Sequence, residues 1–228
     1  MSIDSEFSRF ALEYDSYNTI QNKVASHLLS NINSSPQTIL DLGCGSGAVA
    51  RSIEWNYSHL IAVDFAEKML ELHPDLPSIE RICADFNSSR LYEYLRGIGV
   101  EHIISASALQ WSPDLPHTLS LIRSLKAPCS FAIFTSNTFK ALHSYADLPP
   151  LLKSSSELKL LIAKEFQAEY ETIGYTLEFS DTQQLFRYIK NSGVSGNRNL
   201  LTYTQTKELI RTYPLKYLEF EVLFVHTK

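Results

Sequence analysis

The sequence predicts an α/β fold, and three observations carry that prediction. Short β-branched and apolar runs alternate with segments of helical periodicity along the chain. The first run, Thr38-Ile39-Leu40, leads into Asp41-Leu42-Gly43-Cys44-Gly45-Ser46-Gly47 and then Ala48-Val49-Ala50-Arg51-Ser52-Ile53, which reads as strand, tight turn and helix start. The next two runs also end in acids: Leu60-Ile61-Ala62-Val63 in Asp64, and Ile79 through Ala84 in Asp85. Glycine turns let the backbone approach a ligand closely, and the free N–H groups of the following helix point into the same space. A nucleotide-like cofactor fits there, although a glycine turn can also serve packing alone.

The elements follow in order. A helix is predicted from about Asn18 to Leu29, with Ile20, Val24, Ala25, Leu28 and Leu29 on or near one face. Tyr14, just before it, either anchors this helix or covers the cofactor. After the first three strands come a short helix over Ser89–Leu95 and a fourth strand, His102-Ile103-Ile104-Ser105-Ala106-Ser107. The segment Ala108-Leu109-Gln110-Trp111 then exposes an amide and a large ring at the carboxyl edge of the sheet, where open α/β folds bind ligands, unless Trp111 plugs the core. A helix over Leu115–Leu125 and a fifth strand over Phe131–Thr135 complete the central part. Beyond it lie a helix from Ser154 to Phe166, a sixth strand over Tyr170–Phe179, two helices over 183–190 and 204–212, and a last strand over Tyr217–Val225. Asp181 reads as the N-cap of the first of those two helices.

Composition bounds the function. With 228 residues, 44% hydrophobic and 20% charged, the chain suits one domain with a full core. The N-terminus has no basic region leading into an apolar stretch, and no run of eighteen apolar residues occurs, so a cytoplasmic, non-membrane protein is expected. Cys44, Cys83 and Cys129 are widely separated and read as small buried thiols. The seven histidines have no metal-ligand spacing, so no metal is expected. A net charge of −5 gives no general attraction to nucleic acid. Residues 181–216 differ: six basic side chains stand against two acidic ones, giving +4 and leaving −9 elsewhere. That stretch is either a solvated face or a docking surface for an acidic partner.

The spacing G-x-G-x-G, with no Gly-Lys-Ser/Thr, speaks against nicotinamide, flavin or a phosphate clamp. The set D-L-G-C-G-S-G, V-D-F-A-E-K-M-L and A-D-F resembles the first three motifs of class I S-adenosylmethionine methyltransferases. This resemblance implies a Rossmann-like class I methyltransferase fold: a seven-stranded, mostly parallel sheet with helices on both faces and a helical lid insertion before the last strand. It implies that Asp41, Gly43, Cys44, Gly45 and Gly47 lie under the methionine part of S-adenosylmethionine. It further implies that Asp64 holds both ribose hydroxyls, that Asp85 reaches the adenine amino group, and that Phe65 and Phe86 flank the ring; Ser107 joins this cofactor set. One departure is Leu125-Lys126-Ala127-Pro128-Cys129-Ser130, where the family carries L-K-P-G-G. This turn is expected at the far end of the sheet, away from the cofactor.

F-x-R-x-A-x-x-Y over residues 7–14, the L-Q-W of residues 109–111, and Phe186-Arg187-Tyr188-Ile189-Lys190 through Tyr217 are similar to the BioC family, the malonyl-acyl-carrier-protein methyltransferases of biotin synthesis. The L-Q-W stretch is shared with trans-aconitate methyltransferases. The resemblance implies a domain spanning 1–228, with an N-terminal lid helix at 7–30, a cofactor-binding core at 38–136 and a helical lid at 181–216. It implies methylation of the free carboxyl of malonyl-acyl carrier protein, which docks on the basic lid face, and leaves S-adenosylhomocysteine as product. Tyr14 and Gln110 are the catalytic candidates; Arg187, Arg198 and Trp111 are the substrate candidates. Two alternatives stay open: a small-molecule carboxylate methyltransferase of the trans-aconitate type, and a fold that binds cofactor without catalysis.

Overall fold

The computed structural model describes residues 18–191 and 202–228. Seven strands form one sheet in the order β3-β2-β1-β4-β5-β7-β6: β1 (Thr38–Leu42), β2 (His59–Asp64), β3 (Ile79–Cys83), β4 (His102–Ala106), β5 (Cys129–Phe134), β6 (Ala168–Glu178) and β7 (Tyr217–Thr227). The pairs from β3 through β5 are parallel, and β7 runs antiparallel to both its neighbours, with Phe134 opposite Val222. The predicted mostly parallel sheet is therefore found. Position in the sheet follows hydrophobicity. The apolar runs of β1, β2, β4 and β5 are buried nearly throughout and sit centrally. The mixed strands Ile79-Glu80-Arg81-Ile82-Cys83 and Ala168–Glu178 sit at the two edges, where one side meets solvent.

The helices are α1 (Thr19–Ser30), α2 (Ala48–Ser52), α3 (Glu67–Glu71), α4 (Ser89–Leu95), α5 (Leu115–Arg123), α6 (Lys140–Tyr145), α7 (Ser155–Ile162), α8 (Thr182–Asn191) and α9 (Tyr203–Thr212). Side chains alternate across a strand, so neighbouring residues feed two separate cores. Ile39, Leu60, Ile104 and Phe134 pack with Ile20, Val24 and Leu28 of α1 and with Leu185, Tyr188 and Leu209 of α8 and α9. Leu40, Ile61, Ile103 and Ile133 pack on the other face with Leu119 and Ile122 of α5 and with Leu158 and Ile162 of α7.

Caps fix the helix starts. In α7 the Ser154 side chain accepts from the Glu157 N–H while Glu157 accepts from the Ser154 N–H at 2.8 Å, and Thr202 and Gln205 do the same for α9. Asp181 Oδ1 accepts the Gln184 N–H at 2.8 Å, as expected of an N-cap. The expected helix to Phe166 ends at Ile162, and the helix to Leu125 ends at Arg123. The glycine-poor turn before β5 places Lys126 at φ 58°, at the opposite end of the sheet from the glycine loop. Helices α3 and α6 are additional to the expected set. Both are short, with five and six residues, too few to show a periodicity.

Candidate cofactor and active site

The carboxyl ends of β1, β2, β3, β4 and β5 meet at one edge of the sheet, around a cleft of about 310 Å³. The glycine loop forms its floor. Gly43 and Cys44 donate their N–H groups to Val63 O at 2.8 and 3.0 Å, which ties the loop to β2. At Gly43, φ is +74° and a Cβ would lie 2.2 Å from the Ala108 Cβ; at Gly47, φ is +94° and a Cβ would lie 2.5 Å from Pro74 Cδ. Only glycine meets both demands. Gly47 is the residue from which α2 starts.

Asp64, at the tip of β2, is nearly buried. Its Oδ2 accepts the Gly45 N–H and its Oδ1 the Ala66 N–H, both at 2.9 Å, so the acid is fixed against the loop. Asp41 is fully buried below the loop, and neither of its carboxylate oxygens has a hydrogen-bond partner among the described residues. Burial, with the Asp64 charge adding to it, pushes the Asp41 carboxyl up to about 8. Burial and the same two acids hold the Cys44 thiol well above its usual range, which keeps it protonated and unreactive.

Across the cleft, the chain leaves β4 through Ser107 at φ +67°, a left-handed conformation held by its N–H bond to Ala132 O at 2.8 Å. Gln110 Nε2 donates to Ser107 O at 2.6 Å, from a single 3₁₀ turn over Leu109–Trp111. Ser107 Oγ, Gln110 Oε1 and Asn18 Oδ1 are buried in the cleft-lining residues without a partner among the described residues. Unpaired buried acceptors beside two acids, Asp64 and Asp85, suit a ligand with donors and positive charge. An ammonium, a sulfonium and ribose hydroxyls match that need, and the glycine cradle gives the backbone room to approach them.

Gly43, Cys44, Gly45, Asp64, Phe65, Asp85, Phe86, Ser107, Gln110 and Trp111 all line this one cleft. Asp41 and Gly47 support the loop and are not in the wall. Arg187 is exposed on α8 and does not line the cleft. Tyr14 and Arg198 lie outside the described residues. None of the described residues of 181–216 reaches the cleft; that segment packs on the sheet through Leu185, Tyr188, Leu209 and Tyr213. The structure adds Asn18, Gln21, Met69, Asn87 and Phe134 to the wall. Asn18 and Gln21 are buried polar residues at the start of an amphipathic helix.

No cluster of three His, Cys, Asp or Glu side chains suits a metal ion among the described residues. No helix among them is long and apolar enough to cross a membrane.

Residues 39–128 match the family model described as methyltransferase domain. The malonyl-[acyl-carrier protein] O-methyltransferase of Brevibacillus brevis is 28% identical over 98% of this chain and 94% of its own length. That of Acetivibrio thermocellus is also 28% identical, over 92% and 85%. Among solved structures, the YcgJ protein of Bacillus subtilis superposes with a TM-score of 0.62 at 11% identity, covering 90% of this chain and 97% of that one. Phosphoethanolamine N-methyltransferase 2 of Haemonchus contortus, in complex with S-adenosyl-L-methionine, gives 0.58 at 13% identity, covering 97% and 57%. Residues 39–128 thus match a methyltransferase domain, in a chain that has the class I methyltransferase fold and resembles the malonyl-[acyl-carrier protein] O-methyltransferases along almost its whole length.

Proposed function

We propose that this chain transfers the methyl group of S-adenosylmethionine to the free carboxyl of malonyl-acyl carrier protein, an early step toward the pimeloyl chain of biotin. The observation that supports this most is the similarity over 98% of the chain to a malonyl-[acyl-carrier protein] O-methyltransferase, together with the glycine loop, Asp64 and Asp85 in one cleft. In this reading Asp64 accepts both ribose hydroxyls, Asp85 accepts the adenine amino group, and Phe65 and Phe86 flank the ring. The glycine loop underlies the methionine part.

Bound S-adenosylmethionine supplies a sulfonium methyl open to in-line displacement. The protein's part is then to hold a nucleophile on that line and keep water away. A carboxylate, with a reference pKa of about 4, is already ionised at neutral pH, so no general base is required. Gln110 and Trp111, on the cleft wall, face the space left for it, and Tyr14 and Arg198 are the further candidates for its donors, whereas Arg187 stands outside the cleft. The carrier docks on basic side chains of the insertion: Arg187, Lys190 and Lys216 are exposed there.

The test is transfer of a labelled methyl from S-adenosylmethionine to a panel of malonyl-acyl carrier protein, malonyl-coenzyme A and trans-aconitate. The account expects a base-labile methyl ester on the carrier-linked substrate. Label on trans-aconitate alone would replace this substrate by a small polycarboxylate, and no label on any of them would overturn carboxyl methylation.

A further inference from the structure

Asn87 lies between the acid at the end of β3 and the loop that carries Trp111, and its two amide ends are both engaged. Its Nδ2 donates to Asp85 Oδ1 at 2.6 Å, and its backbone N–H donates to the same oxygen at 2.8 Å. Its Oδ1 accepts from Ser112 Oγ at 2.8 Å and from Thr118 Oγ1 at 2.7 Å. The two hydroxyls lie 2.9 Å apart, and Thr118 is fully buried. The orientation of the amide is unambiguous, because the reverse would set its oxygen against a carboxylate.

Two consequences follow from chemistry. Asp85 Oδ1 is saturated by two donors from one residue, which leaves Oδ2, with no hydrogen bond among the described residues, as the oxygen that can serve a ligand in the cleft. Ser112 follows Trp111 directly, so the same amide that aims Asp85 also anchors the exit of the Gln110-Trp111 turn. The two walls of the cleft, joined by a contact that spans 25 residues of the chain, share one strut.

We propose that Asn87 is a positioning residue for adenine recognition: it turns Asp85 so that one oxygen faces the amino group, and braces that acid against the Trp111 loop. The proposal rests on the reading of Asp85 as the adenine acceptor. Its signature is discrimination between S-adenosylhomocysteine and S-inosylhomocysteine, whose ring carries a carbonyl where adenine carries the amine. Loss of a charge-assisted hydrogen bond should weaken the adenosyl compound by about tenfold and leave the inosyl compound unchanged.

The experiment is calorimetric titration of the full chain with both compounds. Asn87→Leu should bring the preference for adenosyl close to unity. Ser112→Ala combined with Thr118→Val, which keeps Asn87 and Asp85 and frees only the amide oxygen, should lose part of it. Equal weakening of both compounds by Asn87→Leu, or an unchanged preference, would overturn the proposal, and an unchanged preference in the double variant would overturn the strut if Asn87→Leu did not fold. Asp85→Ala separates the two claims. A preference retained without Asp85 would sink the adenine assignment itself, and the role of Asn87 with it.

Discussion

Replacing Asp64 with alanine tests the cofactor site where the structure is most specific. The carboxylate accepts two backbone N–H groups at 2.9 Å, from Gly45 and Ala66, and keeps its edge on the cleft. Folding loses those two acceptors but also loses the repulsion that Asp64 exerts on buried Asp41. With the glycine loop still tied to Val63 O, the net cost should be about 1 kcal/mol, a fall of roughly 2–4 °C in Tm for a domain of this size. Binding loses more. Two ribose hydroxyls on one carboxylate are worth about 3 kcal/mol together, so affinity for S-adenosylhomocysteine should fall roughly 150-fold. Asp64→Asn, which keeps one acceptor oxygen, should lose about tenfold. Calorimetry reads the affinities and a thermal melt reads the fold. An affinity within twofold of the parent in a folded Asp64→Ala protein would refute the ribose assignment.

Asp41→Asn should change the pH dependence of stability. The native carboxyl holds its proton up to about 8 while the unfolded chain releases it near 3.8, so the stability this group contributes is complete at low pH and lost as pH rises through that window. The Tm advantage of Asp41→Asn should therefore grow from pH 5 to pH 8, and parallel melting curves would contradict the burial argument. Gly43→Ala should cost far more than Gly99→Ala, although both have φ +74°. Gly99 has no atom within 4 Å of an added Cβ and pays about 1 kcal/mol of backbone strain, whereas Gly43 also drives a Cβ to 2.2 Å from Ala108; denaturant unfolding compares them. Arg187→Ala with Lys190→Ala should raise KM for the acyl carrier protein and reduce its salt dependence, with cofactor affinity unchanged. Steady-state kinetics at two ionic strengths checks this, and an unchanged KM would remove the basic docking face.

The sheet was legible because its central strands are largely apolar runs, and β1 leads into a glycine while β2 ends in an acid. The cofactor residues followed from the strand ends: Asp64 is the last residue of β2, Asp85 stands two residues past β3, and the glycines follow β1. Asp41 shows the limit of that logic. It lies within β1, one residue short of its end, so its side chain turns into the protein, where burial makes it a support below the loop. Asn18 and Gln21 escaped because a polar residue on a helix reads as solvent-facing until the cleft that takes it is known. The brace at Asn87 joins Ser112 and Thr118, 25 and 31 residues further on, and no local pattern encodes a contact of that span. Helix α6 starts after Phe139, whose left-handed φ of 59° breaks the chain direction without a glycine to announce it.

The central claim is that the acceptor is the free malonyl carboxyl on its carrier. Intact-mass spectrometry of malonyl-acyl carrier protein, after incubation with the chain and S-adenosylmethionine, addresses it directly. The account predicts a gain of one methyl on the malonyl group, absent with acetyl-acyl carrier protein, which has no free carboxyl. A carrier whose mass does not change, in the presence of a chain that binds S-adenosylhomocysteine, would contradict it.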